Sequence, residues 1–191
     1  MLPYKYAFRR YLGYLLDVAE DFESVLDFAC ERGKFRDYFG SIKYVGMDVD
    51  SLSISIAQKR YPKDSFMVAD ITKPCIDFAF RFDLVVSTHT LGGIPEESAR
   101  IAVSNLINAT NRESGQLLIQ CPRKLYKSIE NVFHDEFVVV LQKSYRGIFS
   151  RLLEPAQQNG LLKTRIGGQL SRLLSFVDIG RADVIVLLKR Q

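Results

Sequence analysis

The segment Val25-Leu26-Asp27-Phe28-Ala29-Cys30-Glu31-Arg32-Gly33-Lys34-Phe35 constrains the fold more than any other part of the chain. It reads as a short apolar strand that ends in an acid, turns through small residues and one glycine, and enters a helix. Open α/β sheets build nucleotide pockets in this way, because ligands bind beyond the carboxyl ends of the strands. Helix entry at that point also leaves unpaired backbone N–H groups facing the crevice. A tight nucleotide turn ordinarily uses several glycines, whereas this one contains only Gly33.

Four more apolar runs follow. Lys43–Asp48 ends in an acid, and Asp48 lies 21 positions after Asp27. An acid about 20 residues past a first nucleotide turn is placed to hydrogen-bond ribose hydroxyls. Phe66–Asp70 has the same form, Phe82–Ser87 leads into Thr88-His89-Thr90-Leu91-Gly92-Gly93, and Gly115–Gln120 ends at Cys121-Pro122. Five short buried strands alternating with helix-like stretches predict βαβ units and a largely parallel sheet.

In the order and spacing of these five blocks, Ser24 to Pro122 resembles the class I S-adenosylmethionine-dependent methyltransferases. The resemblance implies a three-layer Rossmann-like α/β fold with helices on both faces. Its seven-stranded sheet is mostly parallel, with the last strand antiparallel. It implies S-adenosylmethionine as cofactor. Asp27, Ala29, Glu31 and Gly33 then form the glycine loop and meet the amino acid end, and Asp48 accepts from the ribose hydroxyls. Val49 packs on the adenine, Asp70 and Ile71 meet its edge, and Ser87 closes the fourth strand beside the cofactor. It places His89 near the methyl acceptor, where an imidazole with pKa near 6.5 takes a proton at neutral pH; a hydrogen-bonded structural histidine is the competing reading. For Asp27 and Asp48 the competing reading is a helix N-cap, and for Asp70 it is a turn over residues 70–74.

The chain departs from the family at Ala29 and Glu31, which occupy the first two glycine positions, and at Gly92-Gly93, where an acid–histidine pair is common. Alanine is a small change where φ is negative. Glu31 brings a negative charge beside the cofactor carboxylate unless its side chain turns outward or meets the amino group. Gly92-Gly93 removes a candidate base and predicts a more flexible loop. These departures keep open a catalytically silent fold that acts as a binding or regulatory partner. A nicotinamide dehydrogenase shares related architecture, but its glycine fingerprint is missing.

Outside the five blocks the pattern is less generic. Tyr4, Phe8, Leu12, Leu15, Leu16 and Ala19 recur at helical spacing, which predicts an N-terminal helix over 1–22 before a cofactor-binding core over 23–122. In the resembling family such a helix covers the pocket, making Tyr11 and Tyr14 candidate substrate-binding residues; packing on the sheet is the alternative. The remainder, 123–191, is expected to be a substrate-side half. It has a helical stretch at Leu125–Phe133, strands at Phe137–Gln142 and Asp183–Leu188, and an insertion at about 145–181 suited to substrate selection or an oligomer contact.

Composition bounds partners more than function. At 191 residues the chain suits one domain. No apolar run approaches the roughly 20 residues needed to span a membrane, and the start lacks a signal-peptide core. Three widely spaced cysteines suggest neither a disulfide framework nor a metal site, so a cytoplasmic protein without metal is expected. From Leu141 to Gln191 there are nine Lys/Arg against three Asp/Glu. That basic third is the sole hint of an RNA or protein substrate; a solvated face is the preferred reading. A small-molecule or sugar-like acceptor is the expected partner.

Overall fold

The computed structural model describes residues 12–13, 16–19, 21–73, 78, 80–144 and 183–191. Seven strands form one sheet: β1 (Ser24–Phe28), β2 (Lys43–Asp48), β3 (Ser65–Val68), β4 (Leu84–Ser87), β5 (Gln116–Pro122), β6 (Phe137–Ser144) and β7 (Asp183–Arg190). Their order across the sheet is β3-β2-β1-β4-β5-β7-β6. The first five strands are mutually parallel, and β7 runs antiparallel to both neighbours.

Period-two alternation explains why both faces of this sheet are covered. Leu26, Phe28, Val45, Met47, Val85, Leu117 and Ile119 join one core, together with Ala102, Val103 and Leu106 of α2 (Glu96–Ala109). The intervening residues Val25, Tyr44, Leu84, Val86, Leu118, Ile185 and Leu187 join the other. That second core includes Leu12 and the buried side of α1 (Ser51–Arg60), Ile54 and Ala57. A sheet between two apolar layers is the expected three-layer α/β architecture. Two short helices, α3 (Arg123–Ile129) and α4 (Asn131–His134), connect β5 to β6. Among the described residues, no helix is long and apolar enough to cross a membrane.

Two features differ from the sequence reading. The first strand does not end on its acid, since Phe28 continues it. The loop after it also leads into turns and a short 3-10 helix, Arg36–Phe39, rather than a full α-helix. The cause is local: Phe35 supplies no side-chain cap, and Gly40 ends the turn at φ 60°, ψ −144°, a region few other residues adopt. The helix N-cap near β2 is Asp50, not Asp48. Asp50 accepts from the backbone N of Leu52 at 3.1 Å and of Ser53 at 3.2 Å.

Gly115 closes the turn between α2 and β5 against backbone. A Cβ there would lie 2.3 Å from Thr110 Cγ2 and 2.4 Å from the Asn111 carbonyl oxygen. Overpacking of this kind costs about 1–3 kcal/mol. Gly115→Ala is therefore expected to lower Tm by roughly 2–10 °C, measured by calorimetric or spectroscopic melting, while Gly93→Ala, which meets nothing within 4 Å, leaves it nearly unchanged.

Candidate cofactor and active site

The sheet reverses its winding between β1 and β4, which are neighbours although the chain visits β2 and β3 between them. Ligand crevices in open α/β sheets form at such switch points. The loops leaving these two strands therefore define the site.

After β1, three alternate residues take the left-handed conformation: Ala29 at φ 58°, Glu31 at φ 51° and Gly33 at φ 68°. These are the three positions at which the resembling family carries glycine. The expectation that Ala29 would be harmless at negative φ is thus overturned. Ala29 and Glu31 bear the strain that glycine avoids, about 1–2 kcal/mol per residue. Several bonds hold the loop in that shape. Cys30 N donates to the Met47 carbonyl at 3.0 Å, and Lys34 N to the Cys30 carbonyl at 3.1 Å. Glu31 N donates to Asp48 Oδ2 at 2.9 Å. The Glu31 side chain is turned to solvent and neutralised by Lys34, with Nζ–Oε1 at 2.7 Å.

Asp48 anchors both sides of the crevice floor. Its Oδ1 accepts from Asp50 N at 2.9 Å while Oδ2 accepts from Glu31 N, and each oxygen retains a second lone pair. Val49 beside it is 66% exposed, a bare apolar side chain at the strand end. Asp70 uses Oδ1 in its own turn, accepting from Thr72 N at 2.9 Å and Thr72 Oγ1 at 2.6 Å. Those bonds hold its carboxyl below the ordinary range. The turn reading of residues 70–72 is therefore present, with Oδ2 outside it. The Ile71 side chain lies in the core, and Asn105 Nδ2 holds the Ile71 carbonyl at 2.8 Å.

Asp27 is fully buried, with Oδ2 accepting from Tyr44 Oη at 2.7 Å and Oδ1 without a partner among the described residues. Burial pushes its pKa up to about 7. The Tyr44 bond opposes that shift, repulsion from Asp48 and Glu31 adds to it, and Lys34 opposes it. Ser87, at the end of β4, is likewise buried with an unpartnered Oγ. His89 sits two residues on at φ 61°, its backbone N donating to Gln120 Oε1. Its ring centroid is 6.4 Å from that of Phe35. The side chain reaches solvent, yet flanking groups remove enough water to lower its pKa. The Lys34 charge lowers it further, against Asp183, Gln120 and Glu31. Tyr11 and Tyr14 lie outside the described residues, as does 145–182.

The structure therefore brings Asp27, Ala29, Glu31, Gly33, Asp48 and Val49 together around β1 and β2. Ser87 and His89 stand at the end of β4, adjacent to β1. Sequence reasoning missed Lys34, Tyr44 and Gln120. Tyr44 and Gln120 carried one signal, a polar group inside an otherwise apolar strand. Lys34 carried none.

Comparison with known proteins agrees with this geometry. Residues 26–111 match the family model described as "Methyltransferase domain". Protein 235L of Invertebrate iridescent virus 6, named as a candidate methyltransferase, is 32% identical over 95 residues. That match spans 47% of this chain and only 35% of the viral protein. Among solved structures, the N-methyltransferase NodS from Bradyrhizobium japonicum WM9, in complex with S-adenosyl-L-homocysteine, superposes with TM-score 0.67 at 14% identity. It covers 96% of this chain and 87% of NodS. A TehB-like SAM-dependent methyltransferase from Corynebacterium glutamicum superposes with TM-score 0.65 at 18% identity, over 99% and 98% of the two chains. At such identities the structures establish the fold, which is the Rossmann-like methyltransferase fold. With the match over residues 26–111, the chain is similar in both sequence and fold to the class I S-adenosylmethionine-dependent methyltransferases.

Two titrations follow. The folded pKa of Asp27, about 7, exceeds its ordinary 3.8, so the folded state holds more protons between those values. Stability is then greatest below about pH 4 on this account and falls as pH rises through 7. Denaturant melts across that window should show Asp27→Asn flattening the slope and Tyr44→Phe moving its end to higher pH. Separately, proton NMR should find His89 titrating below 6.5, and Lys34→Ala should raise its midpoint.

Proposed function

We propose that the protein binds S-adenosylmethionine at the β1–β4 switch point and transfers its methyl group to a small-molecule, sugar-like acceptor. The observation that carries this reading is the left-handed loop at residues 29, 31 and 33, stitched to the carboxylate of Asp48. Ala29 and Glu31 have kept the backbone conformation that glycine normally provides, at a cost in strain, and the Glu31 charge is matched by Lys34. Those features weigh against a silent fold. Gly92 does likewise, because its lack of a Cβ admits Pro122, whose Cδ would otherwise stand 2.7 Å away.

The residues present fit the cofactor. Unmet hydrogen-bonding capacity remains at Asp27 Oδ1 and Ser87 Oγ, at the ends of the two switch-point strands. Asp48 accepts from the ribose hydroxyls through the lone pairs its backbone bonds leave free. Val49 covers the adenine, and Asp70 Oδ2 meets its edge. When bound, S-adenosylmethionine supplies an electrophilic methyl on a sulfonium. The chain's contribution is to hold the acceptor in line and keep water out, and orientation alone is worth about 7–11 kcal/mol of a barrier. His89, neutral at pH 7 because its pKa is lowered, takes the proton that the acceptor releases. Its position is fixed by Gln120, which receives the His89 N–H. Structures of like fold include a magnesium protoporphyrin IX methyltransferase and an amino pentose methyltransferase, which supports a small or sugar-like acceptor.

Calorimetric titration with S-adenosylmethionine and S-adenosylhomocysteine tests this reading. Micromolar binding is expected. Hydrogen bonds to a charged group are worth about 1.5–3 kcal/mol each, so Asp48→Ala should weaken binding about tenfold or more, and Asp48→Asn less. Absence of binding at about millimolar ligand would sink the proposal.

A further inference from the structure

At the opposite end of the sheet from the crevice, the turns that lead into β2 and β3 enclose an open cleft of about 410 Å³. That is the size of a metabolite site, about 300–1,000 Å³. We propose that this cleft, between residues 36–40 and 60–64, is a second binding site for a small phosphate-bearing anion, whose occupancy is read at the cofactor loop through Tyr61. The coupling half of this inference rests on the cofactor reading above.

The anion follows from which charges on the wall are already satisfied. Arg36 is engaged through all three nitrogens: Nε and Nη2 bond the two oxygens of Asp64 at 2.5 and 2.9 Å, and Nη1 bonds the Gly40 carbonyl at 2.7 Å. Asp64 is thereby neutralised, and Asp37 accepts from Tyr61 Oη at 3.0 Å. The other two cations keep their donors. Arg60 makes a loose surface ion pair with Asp37, Nη2–Oδ2 at 3.6 Å, with no hydrogen bond in it, and the two side chains are 55% and 70% exposed. It is held in place over the Tyr61 ring, 4.9 Å from the centroid. Lys63 is exposed and meets no partner among the described residues. Arg36, Arg60 and Lys63 outnumber Asp37 and Asp64 on the wall, and a guanidinium fork with an ammonium on the same wall matches a phosphate group.

The coupling follows from the far side of Tyr61. A Cβ on Gly33 would stand 2.7 Å from Tyr61 Cε2, so the ring lies directly on the loop's one true glycine. Tyr61 stacks on Phe66 with centroids 6.4 Å apart. Phe66 in turn fills the space over Gly46, where Cys30 Sγ also packs. Tyr61 thus lines the cleft while the Cδ2–Cε2 side of its ring rests on Gly33. A ligand that fixes the ring in the cleft fixes Gly33 as well.

Calorimetry on the full chain tests this with pyrophosphate, citrate and S-adenosylhomocysteine. Pyrophosphate is expected to bind at millimolar concentration or below, and Arg60→Ala combined with Lys63→Ala should weaken it about tenfold or more. Saturating pyrophosphate should change the S-adenosylhomocysteine Kd by about threefold or more, with an equal reciprocal effect on pyrophosphate. Tyr61→Phe should keep that coupling and Tyr61→Leu abolish it while pyrophosphate still binds. Unchanged binding in the double variant, or an unmoved S-adenosylhomocysteine Kd, overturns the proposal; citrate binding as tightly as pyrophosphate overturns the phosphate assignment. Failure of S-adenosylhomocysteine to bind without any anion overturns the cofactor reading instead, and pyrophosphate binding then decides the cleft alone.

Discussion

The carboxylate of Asp48 ties the working end of this molecule together. One oxygen receives the N–H of Glu31 and the other the N–H of Asp50. The first bond holds a strained loop against β2. The second aligns the residue that caps α1, since Asp50 itself receives the N–H groups of Leu52 and Ser53. Loop, strand and helix are thereby fixed to one charge, with a lone pair left on each oxygen for a ligand. That arrangement explains how the loop tolerates Ala29 and Glu31 where glycine would be easier. The strain of two left-handed residues is offset by bonds that exist only in that conformation.

A second layer of support lies beneath the loop. Asp27, Tyr44, Phe66 and Tyr61 form a continuous path from the buried end of β1 to the surface. Two of its members carry hydroxyls that bond carboxylates, Tyr44 to Asp27 and Tyr61 to Asp37. An apolar ring at those positions would fill the same space without fixing an orientation. The rigidity of the loop is therefore set as much by aromatic packing from below as by its own backbone.

How much of this was legible depended on whether a feature is periodic. The strands and their order of appearance were visible because a sheet buried on both faces requires short apolar runs. The acid of β2 was visible because strand length and loop length fix its distance from Asp27. The helix after the first loop was not, because Gly40 sets its length and a single glycine does not announce its φ. The sign of φ at Ala29 was equally hidden: it is imposed by Met47 and Asp48 across the sheet, partners distant in sequence. Gln120 acquires its role only when β4 and β5 lie side by side, whereas Lys34 acts locally, on an acid three residues away, and charge pairs of that kind are common on any solvated turn.

The placement of β7 has a consequence for how the molecule comes to exist. It follows β6 in the chain, yet it lies between β5 and β6. Until residues 183–190 are available, β5 and β6 each lack the strand that, among the described residues, pairs them into the sheet. Val138, Val139 and Val140 remain partly exposed even in the finished sheet. During synthesis the five parallel strands can therefore assemble around the β1–β4 crevice while a valine-rich strand waits for β7. The interval between making β6 and making β7 is the period in which this chain is most open to joining a neighbour's sheet instead of its own.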